Sequence, residues 1–159
     1  MSISSALRRC VPFVLLPALC GSVWGGEPGL PEHQSFTFLN TLVVNDPEDP
    51  LFGLYHFYAN DQGLDAFADG GPYPEGAMFL GVVYRIRADG STLNEGKGAG
   101  YLVMTKDPKA EKTGGWRFYE FNPDGFLIHQ DEKVACFHCH TQVKDRDYVF
   151  SRPLELGVP

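Results

Sequence analysis

Cys136-Phe137-His138-Cys139-His140, near the C-terminus of the chain, forms a C-x-x-C-H pattern. This pattern is the attachment signature of c-type haem, in which two thiols add across the porphyrin vinyl groups and the histidine reaches the iron. On a helix, Cys136, Cys139 and His140 stand at i, i+3 and i+4, so their side chains project from one face. The spacing predicts one covalently attached haem c, with His140 as the proximal ligand of its iron.

Other uses of this cysteine pair fit the sequence less well. A structural zinc site needs four Cys or His ligands, and the only other cysteines are Cys10 and Cys20 in the N-terminal segment. A thioredoxin-like C-x-x-C belongs to a βαβ unit, whereas this pair follows a series of strand-like runs. A structural disulfide would leave the adjacent His140 unexplained.

The N-terminus has the pattern of a secretory signal. Arg8 and Arg9 form a positive region, residues 11–19 are apolar, and small residues follow up to Gly25. We expect residues 1–25 to be a signal peptide cleaved after Gly25, residues 26–35 to be a flexible lead-in, and the protein to reach the periplasm. Export suits c-type haem, which is attached outside the cytoplasm.

Cleavage would remove Cys10 and Cys20, leaving only the haem pair. A lipoprotein would use Cys20 as its acylated residue, but Leu19 is larger than the residue usually found before such a cysteine, so we expect a soluble protein. Loss of Arg8 and Arg9 leaves 11 basic and 20 acidic side chains, a net charge of about −9. Such a charge excludes nucleic acid as a partner. It would attract a redox partner protein with a basic docking face toward this one.

Strand-like runs alternate with turn signals along the remaining chain. They predict strands at residues 36–44, 52–59, 77–88, 100–105 and 115–121. Asn60 or Asp61 can cap a short helix that ends at Asp69, a shorter helix can follow Asp107-Pro108, and a third, beginning near Asp131, carries the haem motif. The expected fold is therefore α+β: a mainly antiparallel sheet with a few short helices, in a single domain over residues 36–159.

The order of these parts resembles the cytochrome P-460 family, which also contains the cytochromes c′-beta. The resemblance is carried by LYHFYAND at 54–61, YPEG at 73–76, GGWRFYEF at 114–121, and the closing motif with KDRDYVF at 144–150. It implies an antiparallel sheet packed over one haem face, a homodimer, and five-coordinate iron with the motif histidine as its proximal ligand.

One position separates the two branches of that family. Members that oxidise hydroxylamine carry a lysine bonded to the porphyrin edge, and the resemblance places that position at Gly81. The first lysine of this chain is Lys97, predicted to lie in a 96–98 loop. Phe79 and Gly81 share one strand face, and Tyr55 and Phe57 are the matching candidates on the preceding strand. These four residues are our candidates for an apolar distal pocket, which favours a neutral diatomic such as NO.

Several residues could close the sixth coordination site of the iron instead. The methionines of the mature chain lie before the motif, the reverse of the order in small helical electron-transfer cytochromes, and three histidines could serve in a bis-histidine site. His138, between the cysteines, should point away from the iron. The alternative ligands are Met78, Met104, His33, His56 and His129.

Charged and aromatic residues complete the expected site. Arg117, Lys144 and Arg146 are candidates to pair with the haem propionates. Glu120 is expected to alternate with the haem-side face and to be exposed. The core beneath the haem is expected to contain Trp116, Phe118, Tyr119 and Phe121.

Three function classes follow. The first is a c-type cytochrome that binds NO or CO and serves in NO scavenging or electron transfer. The second is an enzyme, a P-460-type oxidoreductase of hydroxylamine or NO. The third is a six-coordinate electron carrier.

Overall fold

Six antiparallel strands form one sheet in the computed structural model, which describes residues 28–131 and 135–153. Each strand pairs with the next one in the chain, so the sheet is a meander in the order β1 to β6. The expectation of a mainly antiparallel sheet is confirmed. The strands are β1 (Thr37–Val44), β2 (Gly53–Ala59), β3 (Met78–Asp89), β4 (Thr92–Lys106), β5 (Trp116–Phe121) and β6 (Leu127–Asp131).

The strands differ from the sequence prediction at β4 and β6. A two-residue turn at Gly90 joins β3 to β4, and Gly90 takes the positive φ of 58° that such hairpins require. Strand β4 therefore begins at Thr92, and Lys97 lies within it, so the prediction of a loop at 96–98 was wrong. Glycines made that stretch look like a break, yet pairing with β3 keeps it extended. Strand β6 was not predicted because its five residues have no alternating pattern.

The helices are short. Helix α1 (Asp61–Asp65) begins after Asn60, whose Oδ1 accepts hydrogen bonds from the amides of Gly63 and Met78 at 2.9 and 2.8 Å. It ends at Asp65, four residues before the predicted end. Helix α2 (Ala135–His140) carries the haem motif as expected, but the predicted start near Asp131 was wrong because that residue ends β6.

Short 3-10 segments complete the helical structure at Glu111–Thr113 and Thr141–Arg146. The first is the short helix expected after Asp107-Pro108. Within residues 28–131 and 135–153, none of the helices combines the length and apolar content needed to cross a bilayer.

Side-chain alternation divides the core between the two faces of the sheet. We call the face that carries the register row Ala59, Phe79, Met104 and Phe118 the front face, and the other the back face. The front core contains Leu39, Ala59, Phe67, Tyr73, Ala77, Phe79, Met104, Trp116, Phe118 and Val149. The back core contains Leu80, Val103 and Phe121, with Tyr119 packed against it.

This division separates four residues that were expected to share one core. Trp116 and Phe118 lie in the front core, whereas Tyr119 and Phe121 belong to the back of the sheet. Of the two cores, α2 packs against the front one, through Cys136 and Phe137 among the described side chains. The front face is therefore the side of the sheet that positions the motif.

Gly114 admits the ring of Tyr148 and so joins the C-terminal segment to the loop before β5. A Cβ at Gly114 would overlap that ring, and Gly114 has a φ of 65°. We expect Gly114→Ala to lower the free energy of unfolding in two ways. The left-handed backbone costs about 1–2 kcal/mol, and the overlap adds about 1–3 kcal/mol. Thermal unfolding of the haem-loaded protein measures the sum.

Gly90→Ala is the matched control. Gly90 has a similar φ of 58°, but a Cβ there would meet nothing within 4 Å. It should show only the backbone cost, so equal melting temperatures for the two variants would contradict the contact between Tyr148 and Gly114.

Candidate functional site

The two cysteines and the histidine of the motif lie together on α2. Cys136 and Cys139 are both half-buried, and within the described ranges they are thiols rather than a disulfide pair. His140 is the last residue of the helix, whereas His138 between the cysteines is exposed. The helix thus groups the three residues that a c-type haem would require.

The ring of His140 is fixed through one nitrogen. Its Nδ1 lies 2.6 Å from the carbonyl oxygen of Tyr148. Because a carbonyl only accepts hydrogen bonds, Nδ1 must donate, which leaves Nε2 with the lone pair that a metal needs. The ring packs against Phe118 and Phe150 at centroid distances of 5.1 and 5.0 Å.

Burial favours the neutral form of this imidazole. It lowers the pKa of His140 below its ordinary value, and the hydrogen bond to Tyr148 opposes the shift only in part. The neutral form with a free Nε2 is the one that binds iron.

Apolar side chains occupy the front face along the register row Phe57, Gly81 and Leu102. A Cβ added at Gly81 would lie 3.0 Å from Cε1 of Phe57, so the ring of Phe57 covers this glycine. The ring of Tyr55 stacks parallel to that of Phe57, with centroids 6.1 Å apart and an interplanar angle of 7°. Phe57 and Cys136 both pack against the front core.

The cytochrome P460 family model matches residues 33–151. The chain belongs to the cytochrome P460 family. Membership makes it a c-type haem protein, with haem c and iron as the cofactors that the family implies. A comparison with curated proteins found no significant match.

The residues present fit a haem group. This cytochrome P460 protein offers two thiols and one neutral imidazole from a single helix. Apolar rings that a porphyrin could cover are incompletely buried nearby: Phe57 is half-buried, and Phe150, in contact with His140, is 43% exposed. Cys136 and Cys139 would hold the group and His140 would bind its iron.

Glu120 adds a carboxylate to the front face, which sequence reasoning missed. It stands opposite Leu102 on one side and His129 on the other. The pKa of Tyr55 is raised by burial first, then by the charges of Asp49 and Glu120, so Glu120 lies within electrostatic range of that hydroxyl. Glu120 shares the front face with Trp116 and Phe118 instead of alternating with them, and the residue is exposed as expected. The i, i+2, i+4 spacing from Trp116 was the available signal.

The structure separates Phe79 from the other distal candidates. Its ring lies 5.1 Å from that of Tyr73 and 6.0 Å from that of Trp116, and the residue is 5% exposed. Phe79 therefore belongs to the packed interior of the front core. Phe57 and Gly81 lie two residue pairs further along the sheet, and Tyr55 lies four pairs further.

The propionate candidates occupy different places. Arg117 alternates with Phe118 onto the back side of β5, and its Nε donates to Asp107 at 2.6 Å, which lowers the pKa of that carboxyl. Lys144 is exposed on the segment after His140. Arg146 is on the same segment; its Nη2 donates to Ser151, and its Nε is buried without a hydrogen-bond partner among the described residues. Lys144 and Arg146 thus accompany the motif, and Arg117 does not.

The alternative iron ligands are dispersed. Met104 is in the front core, and Met78 begins β3. His56 is held between Thr41 at 2.7 Å and Glu95 at 2.6 Å. His33 contacts the carbonyl of Pro31 and the ring of Tyr101, while His129 is exposed on β6.

Replacing His140 tests the axial ligand directly. We expect His140→Ala to abolish the normal axial ligation of the haem iron, because His138, the other described imidazole of α2, is exposed, while thioether attachment survives. The optical spectrum reports the first effect and the protein mass reports the second.

His138→Ala is the control from the same helix. This exposed residue lies between the cysteines, so its loss should leave the spectrum unchanged. An unaltered spectrum for His140→Ala would disprove the proximal assignment.

Proposed function

We propose that this protein is an exported mono-haem c-type cytochrome that binds NO, and also CO, at a five-coordinate iron. Cys136 and Cys139 carry the thioether bonds, and His140 is the proximal ligand. The protein acts in the periplasm in NO scavenging or electron transfer, with its acidic charge steering a redox partner. The resemblance implies a homodimer, which sedimentation of the mature protein would test.

The observation that carries this proposal is the contact between Gly81 and Phe57. The resemblance places the cross-linking lysine of the enzymatic branch at Gly81, and a side chain there would have to displace the Phe57 ring, 3.0 Å from its Cβ. The face is apolar at the position where the enzyme needs a reactive amine. An uncross-linked haem beneath an apolar wall favours a neutral diatomic ligand.

Lysines elsewhere on β4 are poorly placed to substitute. Lys97 stands five residues from Leu102, the cross-strand partner of Gly81, which is about 17 Å along an extended strand. Lys106 is four residues away in the other direction, and its Nζ is bound to Asp147 at 2.6 Å. Neither supports a covalent bond to the porphyrin edge.

The protein's own residues would then act by exclusion and orientation. Bound haem supplies an iron whose sixth position can take a diatomic ligand. Phe57 and Leu102, both half-buried, would keep water from a haem on the front face. The hydroxyl of Tyr55 is engaged because it donates to the Leu51 carbonyl at 2.7 Å. The Tyr148 carbonyl holds the imidazole of His140 from the other side.

The position of Glu120 on the front face supports a second candidate function, that of an oxidoreductase of hydroxylamine or NO. Oxidation of hydroxylamine releases protons, and a carboxylate on the haem-side face could accept one. The charge of Glu120 raises the pKa of Tyr55, so the two groups lie within electrostatic range of each other. This enzyme would work without a lysine cross-link or with one from another residue.

The ferrous optical spectrum separates the classes. We expect a Soret band at the ordinary position of a high-spin c-type haem and a spectral change on adding NO. Mass spectrometry should give one haem and cleavage after Gly25. A Soret band far to the red would favour the cross-linked enzyme, and a low-spin spectrum without NO binding would favour the electron carrier.

Glu120→Gln distinguishes binding from catalysis. For a gas binder, NO affinity should be unchanged, since a neutral diatomic exchanges no proton with the carboxylate. For an enzyme, hydroxylamine oxidation should fall by roughly 10²–10⁴-fold, the usual contribution of a general base. Glu111→Gln, an exposed glutamate at the start of a 3-10 segment, is the control. A large loss confined to Glu120→Gln would overturn the gas-binding proposal.

A further inference from the structure

We propose that the ion pair between Lys106 and Asp147 is a positioning device for the proximal histidine. It holds the backbone carbonyl of Tyr148 on Nδ1 of His140 and so fixes the orientation and basicity of the imidazole. This inference rests on the proposed function, in which that imidazole binds the haem iron.

The backbone around Tyr148 needs such a device. Asp147 and Tyr148 are consecutive non-glycine residues with φ values of 48° and 67°. Two left-handed residues in succession persist only where the surroundings fix them. The reversal they make ends the Thr141–Arg146 segment and directs the Tyr148 carbonyl back toward His140.

Asp147 supplies the fixation from its side chain. Lys106 Nζ donates to its two carboxylate oxygens at 2.6 and 2.8 Å. The Tyr73 amide donates to Oδ2 at 2.9 Å, and Trp116 Nε1 approaches Oδ1 at 3.4 Å. The side chains of Lys106 and Asp147 are 12% and 16% exposed, so water screens their attraction weakly.

Lys106 also ties down the ring of Tyr148 indirectly. Its Nζ donates to the carbonyl of Gly114 at 3.2 Å, and Gly114 is the residue against which the Tyr148 ring packs. The same ring packs against Phe137, at a centroid distance of 5.4 Å. The ammonium group of Lys106 therefore fixes two neighbours of Tyr148: Asp147, which precedes it in the chain, and Gly114, which packs against its ring.

The ion pair would affect the bond between His140 and the haem iron. A carbonyl that accepts from Nδ1 raises the basicity of the imidazole and restricts its rotation, and partners of this kind tune metal sites. Lys106 and Asp147 touch neither the thiols nor the imidazole, so they act through the Tyr148 backbone. We call them positioning residues.

Asp147→Asn and Lys106→Met test the device in the haem-loaded protein. Asparagine keeps the size of the side chain and tolerates the left-handed region, so the first variant removes charge with little backbone cost. We expect the iron–histidine stretching band of the ferrous protein, measured by resonance Raman spectroscopy, to move to lower frequency in both variants. Lys106→Arg, which keeps the cation, should have a band close to the frequency of the unaltered protein.

Asp107→Asn is the control, because it removes the charge of another ion pair, with Arg117, on the other side of β5. It should leave the band in place. A band unmoved in both folded test variants, or moved equally by Asp107→Asn, would overturn the positioning role alone. The absence of any iron–histidine band from the unaltered protein would overturn the proposed function, and this inference with it.

Discussion

Burial of the front face is the constraint on which the rest of the structure depends. An open antiparallel sheet with apolar side chains on both faces must cover each of them. Here the front core takes its cover from the loop after α1, through Phe67 and Tyr73, and from the C-terminal segment, where Val149 is 1% exposed. The hydrogen bonds to Asp147 fasten that segment. The haem motif is therefore held by the same contacts that complete the fold.

Alternating apolar residues and turn glycines made most of the sheet predictable. Five strands lie where the sequence indicates, with ends shifted by a residue or so except at the start of β4. Pairing decided the rest: Gly96 and Gly98 remain extended because β3 runs beside them, and β6 forms because β5 offers an edge. Helix α1 was predicted too long, since Ala66 to Gly70 fold into turns that the composition alone does not separate from a helix.

The site was predictable where residue type alone carries the chemistry. Cys136, Cys139 and His140 are grouped as their spacing requires, and Phe57 meets Gly81 as alternation requires. The roles of Glu120, Arg117 and Asp147 depend on which strand face or loop each one occupies. The partner of His140 is a backbone carbonyl, which no side-chain pattern reveals. Two consecutive left-handed residues at Asp147 and Tyr148 likewise have no sequence signature, because neither is glycine.

The neighbour-to-neighbour order of the strands has a consequence for maturation. Among the described residues each strand pairs with its neighbour in the chain, so most of the sheet can assemble by short-range steps as the chain emerges, and the longest connection to close is residues 60–77 between β2 and β3. The tail that bears the thiols follows afterwards and docks against Tyr73, Lys106 and Trp116, each far earlier in the chain. We expect the sheet to form first and the segment that carries Cys136 and Cys139 to dock last, so that both thiols stay accessible until the final step of folding.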